Sequence, residues 1–251
     1  MLRRLVFISA LVLLILQTPA LAVRTNVAAG SLPNLILWAW ERPEDLRRAG
    51  ADAGVAFLVQ TITLSGNRVS VAPRRQALRV SPAAALVAVT RIEVAPSSTA
   101  ALKPDQVASV AALVAATAGL PRVRGVQVDF DATTSERALY RNLLRDLRQR
   151  IDRATPLSIT ALASWCEGDD WLAELPIDEA VPMLFRMGSS DEPFRRLGRS
   201  NEWHAPLCRT SLGVSLDERL NLPSKGRRLY VFSPVPWTDA GVADARRQVL
   251  P

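Results

Sequence analysis

The chain has 251 residues, of which 49% are hydrophobic and 22% charged, and its formal net charge is +7. This length is sufficient to bury a full core and fits one large domain or two small ones. The positive charge would attract nucleic acid, but no basic run alternates with aromatic residues, so nucleic acid is not an expected partner.

The N-terminus has the features of a secretory signal peptide. Residues 1–22 are MLRRLVFISALVLLILQTPALA. Two arginines precede an apolar run of about a dozen residues, and a small-x-small cleavage pattern follows it. We predict cleavage after Ala22, which leaves residues 23–251 exported, either periplasmic or secreted, and free of the membrane. A retained membrane anchor is the alternative, but the apolar run is short for a span.

Apolar runs recur along the chain at a spacing typical of alternating strands and helices. We predict eight strands, at residues 34–40, 54–64, 85–94, 123–131, 156–165, 179–188, 210–215 and 227–233. Helices are predicted at residues 104–118, 134–152, 43–51, 169–175 and 239–248. Residues 66–80 favour an extended hairpin.

The predicted strands are largely apolar on both faces, as parallel strands covered by helices should be. Eight such strands in about 230 residues predict an α/β fold, a compact and somewhat irregular (β/α)8 TIM-like barrel that forms a single domain over residues 23–251. A doubly wound open sheet is the alternative. That fold normally has a glycine-rich turn between a strand and a helix, and the sequence contains none.

Polar and aromatic residues are concentrated where the predicted strands end, which in a TIM barrel is the rim that carries the active site. In the fourth strand Gln127, Asp129 and Asp131 alternate with apolar residues, so they share one face and are predicted to point into the barrel mouth. The other candidate site residues are Trp40, Glu41, Arg91, Glu93, Ser164, Trp165, Arg186, Asp217 and Trp237.

Crowded carboxylates cannot all ionise easily, so at least one of them is expected to have a raised pKa and to donate a proton. Cleavage of a glycosidic bond requires such an acid. We therefore predict Asp131 as general acid, Asp129 as the residue that orients it or stabilises positive charge on the substrate, and Glu93 as a third carboxylate. Trp40 and Trp237 are predicted to stack on a sugar, whose CH face packs well on indole.

Two alternatives for these acids remain open. Asp129 and Asp131 could form ion pairs with Arg91 and Arg186 that hold the barrel closed, with no part in chemistry. The two aspartates could also bind Mg²⁺ or Ca²⁺ together with Glu93, an interpretation that ranks third.

Other chemistries have less support in the sequence. Thr133 and Glu136 have the spacing of a capping box, which assigns Glu136 to a helix start. His204 is the only histidine, so a serine-histidine-acid triad or a histidine-rich metal site lacks the required residues. No phosphate loop or dinucleotide motif is found, and no cofactor is expected. Trp38 is expected to be a core residue.

Cys166 and Cys208 are the only cysteines. In an exported protein an even number of cysteines favours a disulfide, and two free buried thiols are the alternative.

Several motifs resemble those of the bacterial DUF3142 family, over nearly the whole of residues 23–251. They are LWAWERPEDLR, GVAFLVQT, VQVDFDATTSERALYRNLLRDLR, LSITALASWC, DEAVPMLFRMG, CRTSLGVSLDE and RLYVFSPVPWT. The resemblance implies little about activity, because this family is defined by an unknown function.

A more distant resemblance is to the chitinase-like barrels of glycoside hydrolase family 18. In that resemblance Gln127, Asp129 and Asp131 take the alternating acidic positions of the fourth strand, and Trp237 takes the place of the tryptophan that floors the sugar site. Met183 and Phe185 correspond to the Met and Tyr of a Met-x-Tyr-Asp motif. Two positions depart from the pattern: Asp131 stands at the place of a glutamate, and Arg186 at the place of an aspartate.

The sequence thus predicts an exported barrel that acts on a cell-envelope or extracellular glycan as a glycoside hydrolase. A glycan-binding or scaffolding barrel without turnover is the alternative. The identity of the glycan, the stereochemistry of any hydrolysis and the oligomeric state are left open by the sequence.

Overall fold

The computed structural model describes residues 32–96, 98, 101–168, 170–188, 191–218 and 226–249, and these residues contain eleven strands. The strands are β1 (Leu35–Ala39), β2 (Glu44–Leu46), β3 (Ala53–Ser65), β4 (Arg68–Pro73), β5 (Leu78–Val80), β6 (Leu86–Val94), β7 (Val123–Asp129), β8 (Leu157–Leu162), β9 (Glu179–Met183), β10 (Ser211–Ser215) and β11 (Arg228–Phe232). The predicted signal peptide, residues 1–22, lies outside the described residues.

Eight of the described strands close into a parallel barrel. From β3 the order is β6, β7, β8, β9, β10 and β11, and β1 closes the ring by pairing with both β11 and β3. In the closing strand, Leu35 lies opposite Leu229 on one side and Ala53 on the other. The predicted TIM-like barrel is confirmed, and the alternative of an open sheet is wrong.

The predicted strands correspond to the eight barrel strands, although three of them end early, and β7 stops at Asp129, two residues short of residue 131. The chain enters a helix directly after Leu162, so β8 stops short of residue 165, and β9 stops at Met183, short of residue 188. The extended segment predicted at 66–80 is also confirmed. It contains β4, which pairs antiparallel with β3, and β5, which pairs with β2 in a small separate sheet.

The helices pack on the outside of the barrel. They are α1 (Pro104–Ala116), α2 (Arg137–Arg150), α3 (Ala163–Gly168), α4 (Glu192–Ser200) and α5 (Asp239–Val249). The predicted helices at 104–118, 134–152 and 239–248 are confirmed, and Thr133 and Glu136 form the predicted capping box ahead of α2. No helix in the described part of the chain combines the length and the apolar character that crossing a membrane requires.

The helix predicted at 43–51 is wrong, because this segment contains β2 followed by turns. Its Glu44 side chain is buried and accepts hydrogen bonds from Arg42 Nε at 2.6 Å and from the backbone N of Trp237 at 2.8 Å. The long-range contact with Trp237, together with the pairing of β2 with β5, holds the segment in an extended form that local propensity does not predict. The helix predicted at 169–175 is reduced to a 3-10 turn at Asp170–Leu172. Helices α3 and α4 have no counterpart among the predictions.

Apolar side chains form two separate cores. The larger core lies between the outer faces of the strands and the helices, and includes the α2 residues Leu143, Leu144 and Leu147. The smaller core fills the barrel itself around Ile36 and Trp38. Glycines on β3 and β10 leave space for these two side chains. A Cβ on Gly54 would come within 2.5 Å of Ile36 Cδ1, and a Cβ on Gly213 within 3.0 Å of Trp38 Cη2.

A buried polar network fills the N-terminal end of the barrel. Arg228 Nη1 donates to Glu179 Oε1 at 2.7 Å, and the Tyr230 hydroxyl donates to Glu179 Oε2 at 2.8 Å. Arg228 also donates to the backbone carbonyl of Pro33. Burial, and next the nearby Glu179 carboxylate, raise the pKa of Tyr230 well above its usual value, so Tyr230 stays a neutral donor. These buried side chains fill the N-terminal end of the barrel and form its polar floor.

The predicted disulfide between Cys166 and Cys208 is confirmed. The bridge joins α3 to the 3-10 turn Pro206–Cys208 that precedes β10, with 5.9 Å between the two Cα atoms. Both cysteines are fully buried, and the backbone N of Ala205 donates to the carbonyl of Cys166 at 3.0 Å. The bridge thus fixes the short helix that follows β8.

Replacing both cysteines with alanine is expected to lower the free energy of unfolding by about 3 to 4 kcal/mol, because the bridge closes a loop of 42 residues in the unfolded chain. Denaturant unfolding of the wild-type protein and the double variant measures the difference. Wild-type protein unfolded with a reductant serves as the control and should match the variant. Equal stability of all three samples would contradict a stabilising bridge.

Candidate functional site

A cavity of about 510 Å³ opens at the C-terminal end of the barrel, opposite the polar floor. Its walls combine two carboxylates, two arginines and a large apolar and aromatic surface. The lining residues are Trp38, Trp40, Arg91, Asp129, Asp131, Thr160, Leu162, Ala163, Ser164, Met183, Phe185, Arg186, Met187, Phe194 and Phe232. Six of the sequence-predicted site residues are among them: Trp40, Arg91, Asp129, Asp131, Ser164 and Arg186.

Asp129, the last residue of β7, is held rigidly in the wall of the cavity. Its side chain is only 3% exposed, Arg91 Nη1 donates to Oδ2 at 2.7 Å, and Thr160 Oγ1 donates to Oδ1 at 2.7 Å. These partners come from the two neighbouring strands, β6 and β8. The ion pair between Asp129 and Arg91, which the sequence left open as an alternative, is therefore present, and it fixes the orientation of the carboxylate.

Arg91 is shared between two carboxylates. Its Nε donates to Glu93 Oε1 at 2.6 Å while its Nη1 contacts Asp129. Burial alone lowers the pKa of Arg91, but the charge of Asp129 and the hydrogen bonds to both acids raise it overall. Glu93 does not line the cavity, and its side chain is 46% exposed. The structure thus places Glu93 as a partner of Arg91, away from the reacting space.

Asp131 follows β7 by two residues and is the other carboxylate of the cavity. Its side chain is exposed at the mouth, and among the described residues it makes no hydrogen bond or ion pair. Partial burial raises the pKa of Asp131, repulsion from Asp129 raises it further, and attraction to Arg91 opposes the rise. The ion pair between Asp131 and Arg186 that the sequence allowed is not formed.

No cluster of three or more histidine, cysteine or acidic side chains that could bind a metal occurs in the described ranges. The magnesium or calcium site considered for Asp129, Asp131 and Glu93 is therefore not assembled. The cation that Asp129 and Glu93 share is the guanidinium of Arg91.

Aromatic side chains form the inner end of the cavity. Trp38 is 2% exposed and its Nε1 donates to Gln127 Oε1 at 2.8 Å. Gln127 is fully buried below the cavity, where its Nε2 donates to Ser158 Oγ at 3.2 Å. Gln127 thus positions the Trp38 indole and does not line the cavity. Trp38, expected to be a core residue, belongs both to the barrel core and to the cavity wall.

Two phenylalanines from neighbouring parts of the rim stack face to face. The Phe185 and Phe232 rings are nearly parallel, at 4°, with their centroids 5.5 Å apart. Phe185 follows β9 and Phe232 ends β11. Together with the half-buried Trp40, they give the cavity an extended aromatic surface.

The loop that carries Trp40 is fixed by polar contacts to its backbone. Arg74 donates to the carbonyls of Ala39, Trp40 and Arg42. Glu41 accepts from the backbone N of Arg75 at 2.9 Å and does not line the cavity. The predicted site residue Glu41 therefore binds the backbone of a neighbouring loop. The contacts of Arg74 hold Trp40 at the mouth.

Arg186 lies at the mouth, after β9, and its backbone has an unusual conformation. Its φ of 55° lies in the left-handed region, which non-glycine residues seldom adopt. Its backbone N donates to Glu218 Oε1 at 2.9 Å, and Arg195 contacts the other oxygen of Glu218 at 3.3 Å. The Arg186 guanidinium lies 5.2 Å from the centroid of the Phe232 ring.

Besides Glu41, Glu93 and Gln127, three further predicted site residues lie away from the cavity lining. Trp237 is 5% exposed and its Nε1 donates to the carbonyl of Trp38 at 2.8 Å, so it packs behind β1. Trp165 is 3% exposed and packs edge-on against Trp171, with the ring centroids 5.0 Å apart. Asp217 accepts a hydrogen bond from the Ser215 hydroxyl in the loop after β10.

Met183 and Phe185, the two positions of the Met-x-Tyr resemblance, line the cavity. Thr160 was not predicted, although it lies at an inward-facing position of β8 that the two-residue alternation along this strand would have identified. Phe194 comes from α4, which was not predicted. No signal in the sequence alone connects that helix to the mouth.

Comparison with known proteins gives a family. A family model described as a domain of unknown function, DUF3142, matches residues 83–230. No curated protein matches the sequence. Among solved structures, the crystal structure of the Bacillus cereus spore cortex-lytic enzyme SleL is similar, with a TM-score of 0.44 and 14% sequence identity. The similarity covers 86% of this chain and 58% of the SleL chain, so this chain spans less than two thirds of that enzyme.

Replacing Asp131 with asparagine is expected to stabilise the fold at neutral pH. The pKa of Asp131 is raised in the folded protein, so its ionised form opposes folding above that pKa, and this cost disappears as the pH falls towards the ordinary value of 3.8. Since solvent screens the exposed carboxylate, the gain at neutral pH should be below about 1 kcal/mol.

Thermal unfolding of the wild type and the variant at pH 7 and at pH 4 measures this effect. Glu174→Gln is the matched control, because Glu174 is an exposed carboxylate that makes no hydrogen bond or ion pair within the described residues. A stability gain that is absent at pH 7, or equal at both pH values, would contradict the raised pKa.

Proposed function

The chain belongs to the DUF3142 family, and we propose that it is an exported glycoside hydrolase that acts on a cell-envelope or extracellular glycan, with Asp131 as general acid. One observation carries the proposal. Asp131 stands without a described partner at the mouth of an aromatic cavity, beside an aspartate whose carboxylate is already bound by an arginine and a threonine.

Asp131 has the properties that protonation of a leaving group requires. A general acid must keep its proton until the glycosidic oxygen needs it, so its pKa has to lie above that of an ordinary aspartate. Partial burial and the neighbouring Asp129 shift the pKa of Asp131 in this direction. Asp131 is also exposed to the cavity, where a substrate oxygen could reach it.

Asp129 has a different role in this proposal. Arg91 and Thr160 occupy one oxygen each, and the side chain is buried, so Asp129 acts by its fixed charge. That charge raises the pKa of Asp131 and would stabilise positive charge that develops on the sugar ring in the transition state. The attacking group would then be a water molecule or a group of the substrate itself.

The aromatic surface of the cavity supports a carbohydrate ligand. Trp40, Phe185 and Phe232 present rings to the cavity, and the apolar CH face of a sugar packs on such rings. Trp40 takes the stacking role at the mouth, and Trp38 forms the inner wall in place of the predicted Trp237. The cavity volume of about 510 Å³ is in the range of small-molecule sites.

The disulfide supports the proposed export. Stable disulfides persist in oxidising compartments and are rare in the cytosol. A buried bridge between Cys166 and Cys208 is therefore consistent with a signal peptide at residues 1–22 and a periplasmic or secreted mature protein.

A glycan-binding barrel without turnover is the second candidate, and the state of Asp129 favours it. Hydrolysis with two catalytic carboxylates needs a second acid that is free to act on water or on the sugar. Asp129 and Glu93 are both bound to Arg91. Of the two carboxylates that line the cavity, only Asp131 has no partner among the described residues, so binding without cleavage is compatible with the same cavity.

Asp131→Asn separates the two candidates. On a panel of oligosaccharides the wild-type protein should release product, and the variant should lose at least about 100-fold in rate, because asparagine cannot donate the proton. Binding of the same oligosaccharides, measured by calorimetry, should change little. The control is Glu174→Gln, which should retain wild-type rates. Binding by wild type and variant without any product would show a binding protein, and no binding to any sugar would rule out both candidates.

Asp129→Asn is expected to move the alkaline limb of the pH–rate profile to lower pH. The charge of Asp129 raises the pKa of Asp131, and the variant removes this repulsion while leaving Arg91 free to lower the same pKa. The acid would then lose its proton at a lower pH, and activity would decline earlier as the pH rises. A limb that is unchanged in Asp129→Asn would show that Asp131 is not the titrating acid.

A further inference from the structure

The cavity contains one arginine whose charge no described carboxylate neutralises. We propose that Arg186 binds an oxyanion of the ligand, a carboxylate or a phosphate, and that the glycan recognised by this protein is acidic. The inference rests on the proposed function only in taking the ligand to be a glycan. It does not require that the glycan be cleaved.

The two arginines of the cavity differ in how their charge is used. Arg91 is bound by Asp129 at 2.7 Å and by Glu93 at 2.6 Å, so its charge serves the protein itself. Arg186 also lines the cavity, but no acidic side chain in the described ranges contacts its guanidinium. Its one acidic contact, Glu218, accepts from the backbone N and leaves the guanidinium available.

The orientation of Arg186 is defined by the protein. Its backbone has a φ of 55° and is held by Glu218, which Arg195 of α4 anchors in turn. Its guanidinium lies over the Phe232 ring, at 5.2 Å from the centroid. A guanidinium fixed on an aromatic ring keeps its N–H donors directed outward in one plane, which suits two-point binding of a carboxylate or phosphate.

The aromatic pair beside Arg186 extends this site. Phe232, on which the guanidinium rests, is stacked on Phe185, and both rings line the cavity. A sugar ring that packs on Phe185 would bring a charged substituent within reach of Arg186, because the guanidinium rests on the adjacent Phe232 ring. Asp131 follows β7 and Arg186 follows β9, so the acid and the arginine come from the ends of different barrel strands.

The overall charge of the protein acts in the same direction. The formal net charge is +7 for the full chain and +5 for residues 23–251, which lack Arg3 and Arg4, and a positive protein attracts polyanions before any specific contact forms. This general attraction would not discriminate between sites on the surface. A test of Arg186 must therefore separate binding in the cavity from binding to the basic surface.

Matched pairs of oligosaccharides provide the test. The first pair is oligogalacturonate and the same oligomer with its carboxyl groups reduced to alcohols. The second is a mannose oligosaccharide that carries 6-phosphate and the same compound after phosphatase treatment. The third is a peptidoglycan disaccharide that contains a free muramic carboxyl and its methyl ester. Comparing the pairs also shows whether the oxyanion is a carboxylate or a phosphate.

The proteins compared are wild type, Arg186→Gln, Arg186→Lys and Arg145→Gln. The last is the control for loss of one surface charge, because Arg145 is exposed on α2 and makes no hydrogen bond or ion pair within the described residues. Arg186→Asn is added in case glutamine destabilises the fold, since asparagine tolerates the left-handed backbone. Thermal unfolding of each variant checks that the barrel is intact.

Wild type is expected to bind the acidic member of at least one pair about 10-fold to 100-fold more tightly than its neutral counterpart. Arg186→Gln should lose this preference, Arg186→Lys should restore part of it, and Arg145→Gln should keep it at the same salt concentration. Binding measured by calorimetry does not depend on turnover, so a protein that fails to hydrolyse any sugar can still confirm the inference.

Two results would overturn the inference. One is a failure of every acidic oligosaccharide to bind in preference to its neutral counterpart. The other is a preference that Arg186→Gln and Arg145→Gln reduce equally, which would assign it to the general surface charge. If hydrolysis depends on Asp131 but not on the charge of the sugar, the proposed hydrolase function stands. Only the inference that the glycan is acidic is then overturned.

Discussion

The ion pair between Arg91 and Asp129 is the contact on which the candidate site depends. It joins β6 to β7 at the C-terminal rim, and the hydrogen bond from Thr160 extends the connection to β8. A carboxylate that is 3% exposed would be costly to bury without an opposite charge, so Arg91 makes the position of Asp129 possible. The same pair also affects the pKa of Asp131. Repulsion from Asp129 raises this pKa by more than attraction to Arg91 lowers it.

The two ends of the barrel use polar groups in opposite ways. At the N-terminal end, Glu179 is bound by both Arg228 and Tyr230, so its charge is matched inside the protein. At the C-terminal end, Asp131 and Arg186 reach the cavity without described partners for their charged groups. Since an unpaired charge contributes little to folding, charges left unpaired in a cavity indicate a binding or reacting site.

Much of this arrangement could be predicted from the sequence, because barrel strands impose a two-residue alternation. That alternation placed Gln127 and Asp129 on the inner face of β7, and both side chains point into the barrel. The alternation does not predict how far each inward-facing side chain lies from the cavity. Gln127 lies below the cavity, where it binds Trp38, while Asp129 reaches the wall.

Side chains beyond the strand ends were harder to predict, because the loop decides their direction. Trp237 was expected at the mouth from its position after the last strand. Its backbone N is bound by Glu44, and its indole donates to the carbonyl of Trp38, so the ring packs behind β1. Both partners are nearly 200 residues away in the sequence, and no local pattern indicates such contacts.

Arg186 shows most clearly what the fold adds to the sequence. The sequence left open an ion pair between Asp131 and Arg186, but in the structure the backbone of Arg186 is left-handed and its guanidinium lies over the Phe232 ring. That conformation costs a non-glycine residue about 1 kcal/mol or more. Glycine would adopt it without this cost, as Gly188 does two residues later with a φ of 79°. The arginine side chain gains a contact with the Phe232 ring that glycine could not make, and this contact opposes the cost of the backbone conformation.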